Sequence, residues 1–178
     1  MAVLVEAISV VIKAEVIVNL YPGGWPAFEA NSPNGTLCAD GELVRVGFMV
    51  PNDVKAFIDS LAQYGIHYQA EGKAVDLVVV DQQRGFAVPC DWAEFRQGPI
   101  GGDPKKRVAG CSLVGSKVSE LVTPDGWKFE ESLSAKYGFI ETGENPEFLE
   151  YLGQENGLDV YRDLRTGKKM YVGRTTQP

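Results

Sequence analysis

A chain of 178 residues with 44% hydrophobic and 23% charged residues has the balance of an ordinary folded protein, which excludes wholesale disorder. Its net charge of −7 excludes a general nucleic-acid binder, because neutralising phosphates needs a basic face. Cys38, Cys90 and Cys111 are widely spaced and form no Cys-x-x-Cys pair, so they are not a disulfide framework and point to a reducing, cytoplasmic setting.

In chain order, residues 3–12 are rich in Val and Ile and read as one interior strand. Glu6 within that run and Lys13 after it argue against a signal peptide, and no apolar run reaches bilayer-spanning length, so no membrane contact is expected. Residues 14–21 are ambiguous: their composition favours a strand, yet Ile17, Leu20 and Tyr21 fall at helical spacing. A break at Pro22-Gly23-Gly24 precedes a short helix over 25–30 and a loop over 31–35. Residues 36–38 and 42–49 form a hairpin whose second strand is central. A helix follows over 54–64, capped by Asn52, with Val54, Phe57, Ile58 and Leu61 as its apolar stripe and Gly65 as its stop.

Strands are expected at 66–69 and 74–80, the second so uniformly apolar that both faces should be covered. Residues 81–85 break it, and 86–95 return as a partner strand. The Gly- and Pro-rich stretch 98–106 reads as a loop, residues 108–114 as a strand, 127–137 as a helix and 138–141 as a strand. Asn145-Pro146 has the cap-then-proline order that opens a helix, and 158–163 with 169–172 make a terminal hairpin.

The two halves share motifs in the same order. Gly47-Phe48 matches Gly138-Phe139, and Phe57 to Gln63 matches Phe148 to Gln154 at one constant offset; Gly24-Trp25 is echoed by Gly126-Trp127. This predicts an internal duplication of a strand-helix-strand-strand unit in an α+β fold with mainly antiparallel sheets and two or more amphipathic helices. The halves are residues 1–97 (first repeat about 22–81, polar insert 81–95) and 107–178 (second repeat about 124–173), joined by the 98–106 loop in one compact domain.

Few residues suggest chemistry. One histidine, His67, and scattered cysteines cannot assemble a metal set from local spacing, so no metal or cofactor is expected. The 98–106 stretch lacks the Gly-Lys-Ser/Thr ending of a phosphate loop, and its prolines remove needed N–H groups. The polar insert is the candidate ligand site: Asp81, Gln83, Arg84, Asp91 and Trp92 lie where the halves stop matching, at the end of a buried strand. Glu141, Glu144, Glu147, Glu150, Glu155 and Asp159 give the C-terminal half an acidic face suited to a basic partner.

The duplicated unit, over 44–92 and 137–172, resembles the vicinal oxygen chelate superfamily in element order, and a duplicated ferredoxin-like fold fits the same order. That superfamily carries His or Glu metal ligands on its module strands. Here Arg45 and Lys136 stand on the leading strands, with Glu141 nearby, so the resemblance implies a metal-free binding relative. With no nucleophile–base pair and no catalytic residue assignable, the expected function is a non-catalytic binding protein, taking a protein partner with a basic face or a small molecule. The alternatives are a metal-independent enzyme or small-ligand protein using the 81–92 segment, with Cys90 among its reactive groups, and a structural domain that forms a homodimer.

Overall fold

The Val- and Ile-rich N-terminal stretch forms two strands in two different sheets, where the sequence suggests one. In the computed structural model, which describes residues 1–136, 149–155, 158–164, 167 and 169–173, β1 (Ala2–Val5) and β2 (Ile8–Lys13) are separated at Glu6-Ala7. Ala7 turns the chain with φ +51. A left-handed conformation costs a non-glycine residue about 1–2 kcal/mol, so it must be held in place. Gln82 does this: its Oε1 accepts from Ala7 N at 2.8 Å and its own N–H donates to Ala7 O at 2.9 Å.

Two helices follow, α1 (Ala14–Leu20) and α2 (Gly24–Ala30), which resolves the ambiguous 14–21 segment as helical. Next come β3 (Cys38–Ala39), β4 (Leu43–Phe48) and α3 (Pro51–Ala62). Val50, not Asn52, stands at the cap position of α3, and no side chain caps it. Pro51 opens the helix because its fixed φ is already helical and it has no N–H to leave unpaired. The expected strand at 66–69 shrinks to a short ladder of β5 (Gln69–Ala70) and β6 (Lys73–Ala74). β7 (Leu77–Asp81) and β8 (Gly85–Phe86) complete an antiparallel sheet in the order β3-β4-β2-β7-β8.

The 98–106 segment is not a loop. β9 (Ala93–Ile100) and β10 (Asp103–Leu113) form a hairpin turned by Gly101 and Gly102, with φ +63 and +74. Two residues with positive φ are what a two-residue hairpin turn requires. The prolines are tolerated because β9 is an edge strand and Pro104 lies within a register shift between Asp103 and Arg107. With β11 (Leu121–Val122), these strands make a second sheet in the order β11-β1-β10-β9.

The layers follow from the buried faces. Val11, Leu43, Val78 and Val80 of the first sheet pack against Leu4, Val5, Ala109 and Cys111 of the second. On the opposite face Val10, Ile12, Val44, Val46 and Val79 pack under Ile17, Phe28, Val54 and Leu61 of the helices. β2 and β7 are therefore covered on both sides, which is why they lack polar alternation. The architecture is sheet on sheet on helices: α+β with mainly antiparallel pairing.

The expected 127–137 helix begins as a 3-10 turn at Phe129–Glu131 and continues as α4 (Leu133–Lys136). Further along, β12 (Leu149–Glu155), β13 (Leu158–Asp163) and β14 (Lys169–Gly173) form an antiparallel meander that contains the expected terminal hairpin. The meander counts against the duplication. Within the 148–154 segment, residues 149–154 are strand, whereas the matching 57–63 segment lies largely in α3. Strand pairing with β13, with a bulge at Gly153, overrides the helical spacing of a short apolar segment. Gly138-Phe139, the Asn145-Pro146 helix start and Glu141, Glu144 and Glu147 lie outside the described residues. Among the described residues no helix is long and apolar enough to cross a membrane.

Removing the clamp on the β1–β2 crossover should be costly. Gln82→Ala leaves the buried Ala7 N–H without an acceptor and is expected to lower unfolding free energy by about 2–4 kcal/mol. Urea denaturation checks this; an unchanged midpoint would show that the crossover does not depend on Gln82.

Candidate functional site

The five residues expected to form a ligand site fall into two separate places. Asp81 ends β7, 3% exposed, and its Oδ1 accepts from the N–H groups of Gln83 and Arg84 at 2.8 and 2.9 Å. This is a side-chain-closed turn. Burial pushes the Asp81 carboxyl above its ordinary value of 3.8, against the lowering pull of the two N–H bonds and Arg84. Arg84 is exposed, and the turn carbonyls of Gln82 and Gln83 accept from Gln97 Nε2 at 2.9 and 3.2 Å. Asp91 and Trp92 lie near the other end of β7. Asp91 pairs with Lys73 at 3.1 Å in open solvent, while the Trp92 indole donates to Ala74 O at 3.2 Å under the Lys13 ammonium. Four cavities of about 320 to 580 Å³ are lined by other residues than Asp81, Gln83, Arg84, Asp91 and Trp92. Burial also raises the Cys90 thiol above its ordinary value, against the lowering pull of the Trp92 and Ala93 N–H groups and Lys13. His67 lies in a groove beneath α3 that Cys90 does not line.

A second concentration of polar chemistry surrounds Arg45 and Glu6, at the same end of the sandwich as the Asp81 turn, where the chain crosses between sheets. Arg45 sits in the middle of β4 on the face shared with Leu43 and Gly47, so its guanidinium is directed between the sheets and is 2% exposed. Nε donates to Ser9 Oγ at 2.9 Å, Nη1 to Thr36 O at 3.0 Å and Nη2 to the Glu6 carbonyl at 3.1 Å. A guanidinium has five N–H donors. Two of Arg45's, one on each terminal nitrogen, have no acceptor among the described residues. Burial pushes Arg45 below its ordinary value, with Glu6 and Cys38 acting in the opposite direction.

Gly47 makes room for this side chain. A Cβ at that position would stand 2.7 Å from Arg45 Cζ, closer than real atoms approach. The 34–36 segment walls the other side. Asn34 Nδ2 donates to Gly47 O at 2.7 Å, Thr36 Oγ1 accepts from Gly47 N at 2.7 Å, and Asn34 Oδ1 accepts from the Thr36 hydroxyl.

Glu6 is the second buried charge, 5% exposed. Its Oε2 accepts from both the N–H and the hydroxyl of Ser134, at 2.6 and 2.7 Å, and its Oε1 accepts from the Trp127 indole at 2.9 Å. These bonds tie the start of α4 to the sheet crossover. Glu6, Thr36, Arg45, Gly47 and Trp127 line one cavity of about 500 Å³, with Phe48, Met49 and Leu133 as apolar wall and exposed Asp53, Asp125 and Glu131 around it. A neighbouring cavity of about 560 Å³ between α2 and α3 shares Asn34, Phe48 and Asp53 with it. Volumes of this order are typical of small-molecule sites.

The composition alone did not single out Glu6, Arg45 or Trp127 as site residues, although a signal existed. Glu6 and Arg45 each interrupt a run that is otherwise apolar on both faces, and a charge in such a strand must find partners indoors. Among the described residues no three His, Cys, Asp or Glu side chains gather as a metal-binding group. No family model, curated protein or solved structure matches this chain.

Two consequences can be measured. Gly47→Ala should lower stability by about 1–3 kcal/mol through overpacking against Arg45, while Gly35→Ala, where a Cβ meets nothing within 4 Å, should leave it nearly unchanged. Equal urea midpoints for the two variants would contradict the close approach.

Asp81 gives a pH signature. With its folded pKa above the ordinary 3.8, the folded state holds the proton more tightly, so stability falls as pH rises from near 3.8 through the folded value. Asp81→Asn keeps the Oδ1 acceptor without the buried charge. It should match or exceed the wild type at pH 7, with its advantage shrinking as pH falls toward about 4. An advantage that grew on acidification would reverse the assignment.

Proposed function

We propose that this protein is a non-catalytic small-molecule binding protein whose site is the cavity between Glu6, Arg45 and Trp127. The observation that carries this reading is the buried Arg45 guanidinium, held on three sides in a cavity wall, with two N–H donors that meet no acceptor among the described residues. A buried charge is expensive unless its hydrogen-bonding groups are satisfied. Arg45 is also anchored well enough to be pre-organised, so a ligand acceptor gains its bonds without ordering the side chain first.

The surroundings support binding without turnover. The Ser134 hydroxyl and N–H go to the same Glu6 oxygen, which anchors α4, and Ser134 does not line the cavity. Thr36 Oγ1 is engaged with Gly47 and Asn34. Neither His67 nor any cysteine lines this cavity. A concave, partly apolar site favours a small molecule over a protein with a basic face. The three cysteines are free, which supports a reducing compartment such as the cytoplasm.

Gly35 lines the cavity, and a side chain there would enter open space. Gly35→Phe should therefore fold normally and obstruct the site. In a thermal-shift screen of a metabolite library, wild-type protein should gain about 2 °C or more with at least one compound near 100-fold above its Kd, and Gly35→Phe should not. Equal shifts in both proteins, or none in either, would remove this cavity as the site.

A further inference from the structure

The two buried charges of the cavity constrain what it can hold. Arg45 and Glu6 are both more than nine-tenths buried, they line the same cavity, and the Glu6 carboxylate acts on the guanidinium through space. They do not quench each other by direct contact, because the Arg45 bond to Glu6 goes to its main-chain carbonyl while the carboxylate faces Trp127 and Ser134. Each retains unused capacity. Among the described residues two Arg45 N–H donors meet no acceptor, and Trp127 is the one donor to Glu6 Oε1, which can accept another bond.

A ligand with net charge would leave one of these two buried charges without a counter-charge on the ligand, which is unfavourable. Exposed Asp53, Asp125 and Glu131 beside the cavity make a monoanion or a phosphate less favourable still. A zwitterion avoids both penalties. A carboxylate accepts two parallel N–H bonds from a guanidinium, and an ammonium donates to the carboxylate beside it. Phe48, Met49 and Leu133 then offer an apolar wall to the rest of the molecule.

We infer that the ligand is an α-amino acid with an apolar side chain, its carboxylate on the free N–H groups of Arg45 and its ammonium on Glu6. This deepens the binding reading of the same cavity and rests on it.

Isothermal titration of the full chain tests it with the apolar proteinogenic L-amino acids, their N-acetyl and carboxamide derivatives, and inorganic phosphate. At least one free amino acid should bind wild-type protein. Its N-acetyl and carboxamide forms, each lacking one charge, should bind about tenfold or more weakly, phosphate should not bind, and Gly35→Phe should abolish the heat. If a derivative or phosphate binds as tightly as the free amino acid and Gly35→Phe abolishes that binding, the ligand class is wrong while the cavity remains the site. If binding survives in Gly35→Phe, or no probe binds and the metabolite screen also finds nothing, the cavity reading falls as well.

Discussion

A guanidinium placed between two β-sheets sets the terms for the structure around it. Arg45 belongs to a strand whose neighbours Val44 and Val46 face the helical layer, so its own side chain has nowhere to go but the interior of the sandwich. Taking that charge out of water costs several kcal/mol, and the protein offsets the cost with main-chain and hydroxyl acceptors. Ser9 comes from the adjacent strand, Thr36 from a loop and the Glu6 carbonyl from the point where β1 leaves for the other sheet. Gly47 is bare because the guanidinium lies against it. The break between β1 and β2 thus has a partner in Arg45 as well as in Gln82.

The same crossover organises the chain that follows the second sheet. Through its carboxylate, Glu6 holds Trp127 and Ser134, more than a hundred residues away, and so positions α4 and the 3-10 turn before it. Both large cores on either side of the central sheet are apolar. Among the described residues, the buried Glu6, Ser9, Arg45 and Ser134 gather at this one end, beside the cavity that Glu6 and Arg45 line.

The 81–92 segment gathers polar side chains whose partners are close at hand. Its residues satisfy one another locally: Asp81 closes its own turn, Gln97 covers the turn carbonyls, Asp91 meets Lys73 in solvent and Trp92 donates to a main-chain oxygen. Lys106 of β10 is likewise paired with Glu130 at 2.7 Å and lies over the Phe129 ring. The side-chain partners of Glu6 and Arg45 are instead long-range, and two Arg45 N–H groups meet no acceptor among the described residues.

The amino-acid order by itself determined the α+β class, the doubly covered strands around Val10 and Val79, the helix after Phe48 and the terminal hairpin, because each rests on local periodicity or turn chemistry. It also carried misleading signals. Glycines and prolines at 98–106 have the composition of a loop yet serve a two-residue turn, an edge strand and a bulge. Residues 149–155 share helical spacing with α3 but pair as a strand, since a short apolar segment takes the conformation its neighbours can hydrogen-bond. Only the tertiary structure decided that Val3 and Ile12 lie in different sheets, and that Glu6, Arg45 and Trp127 meet. Those facts depend on a single left-handed residue and on contacts across 36 to 128 positions, which no local pattern encodes.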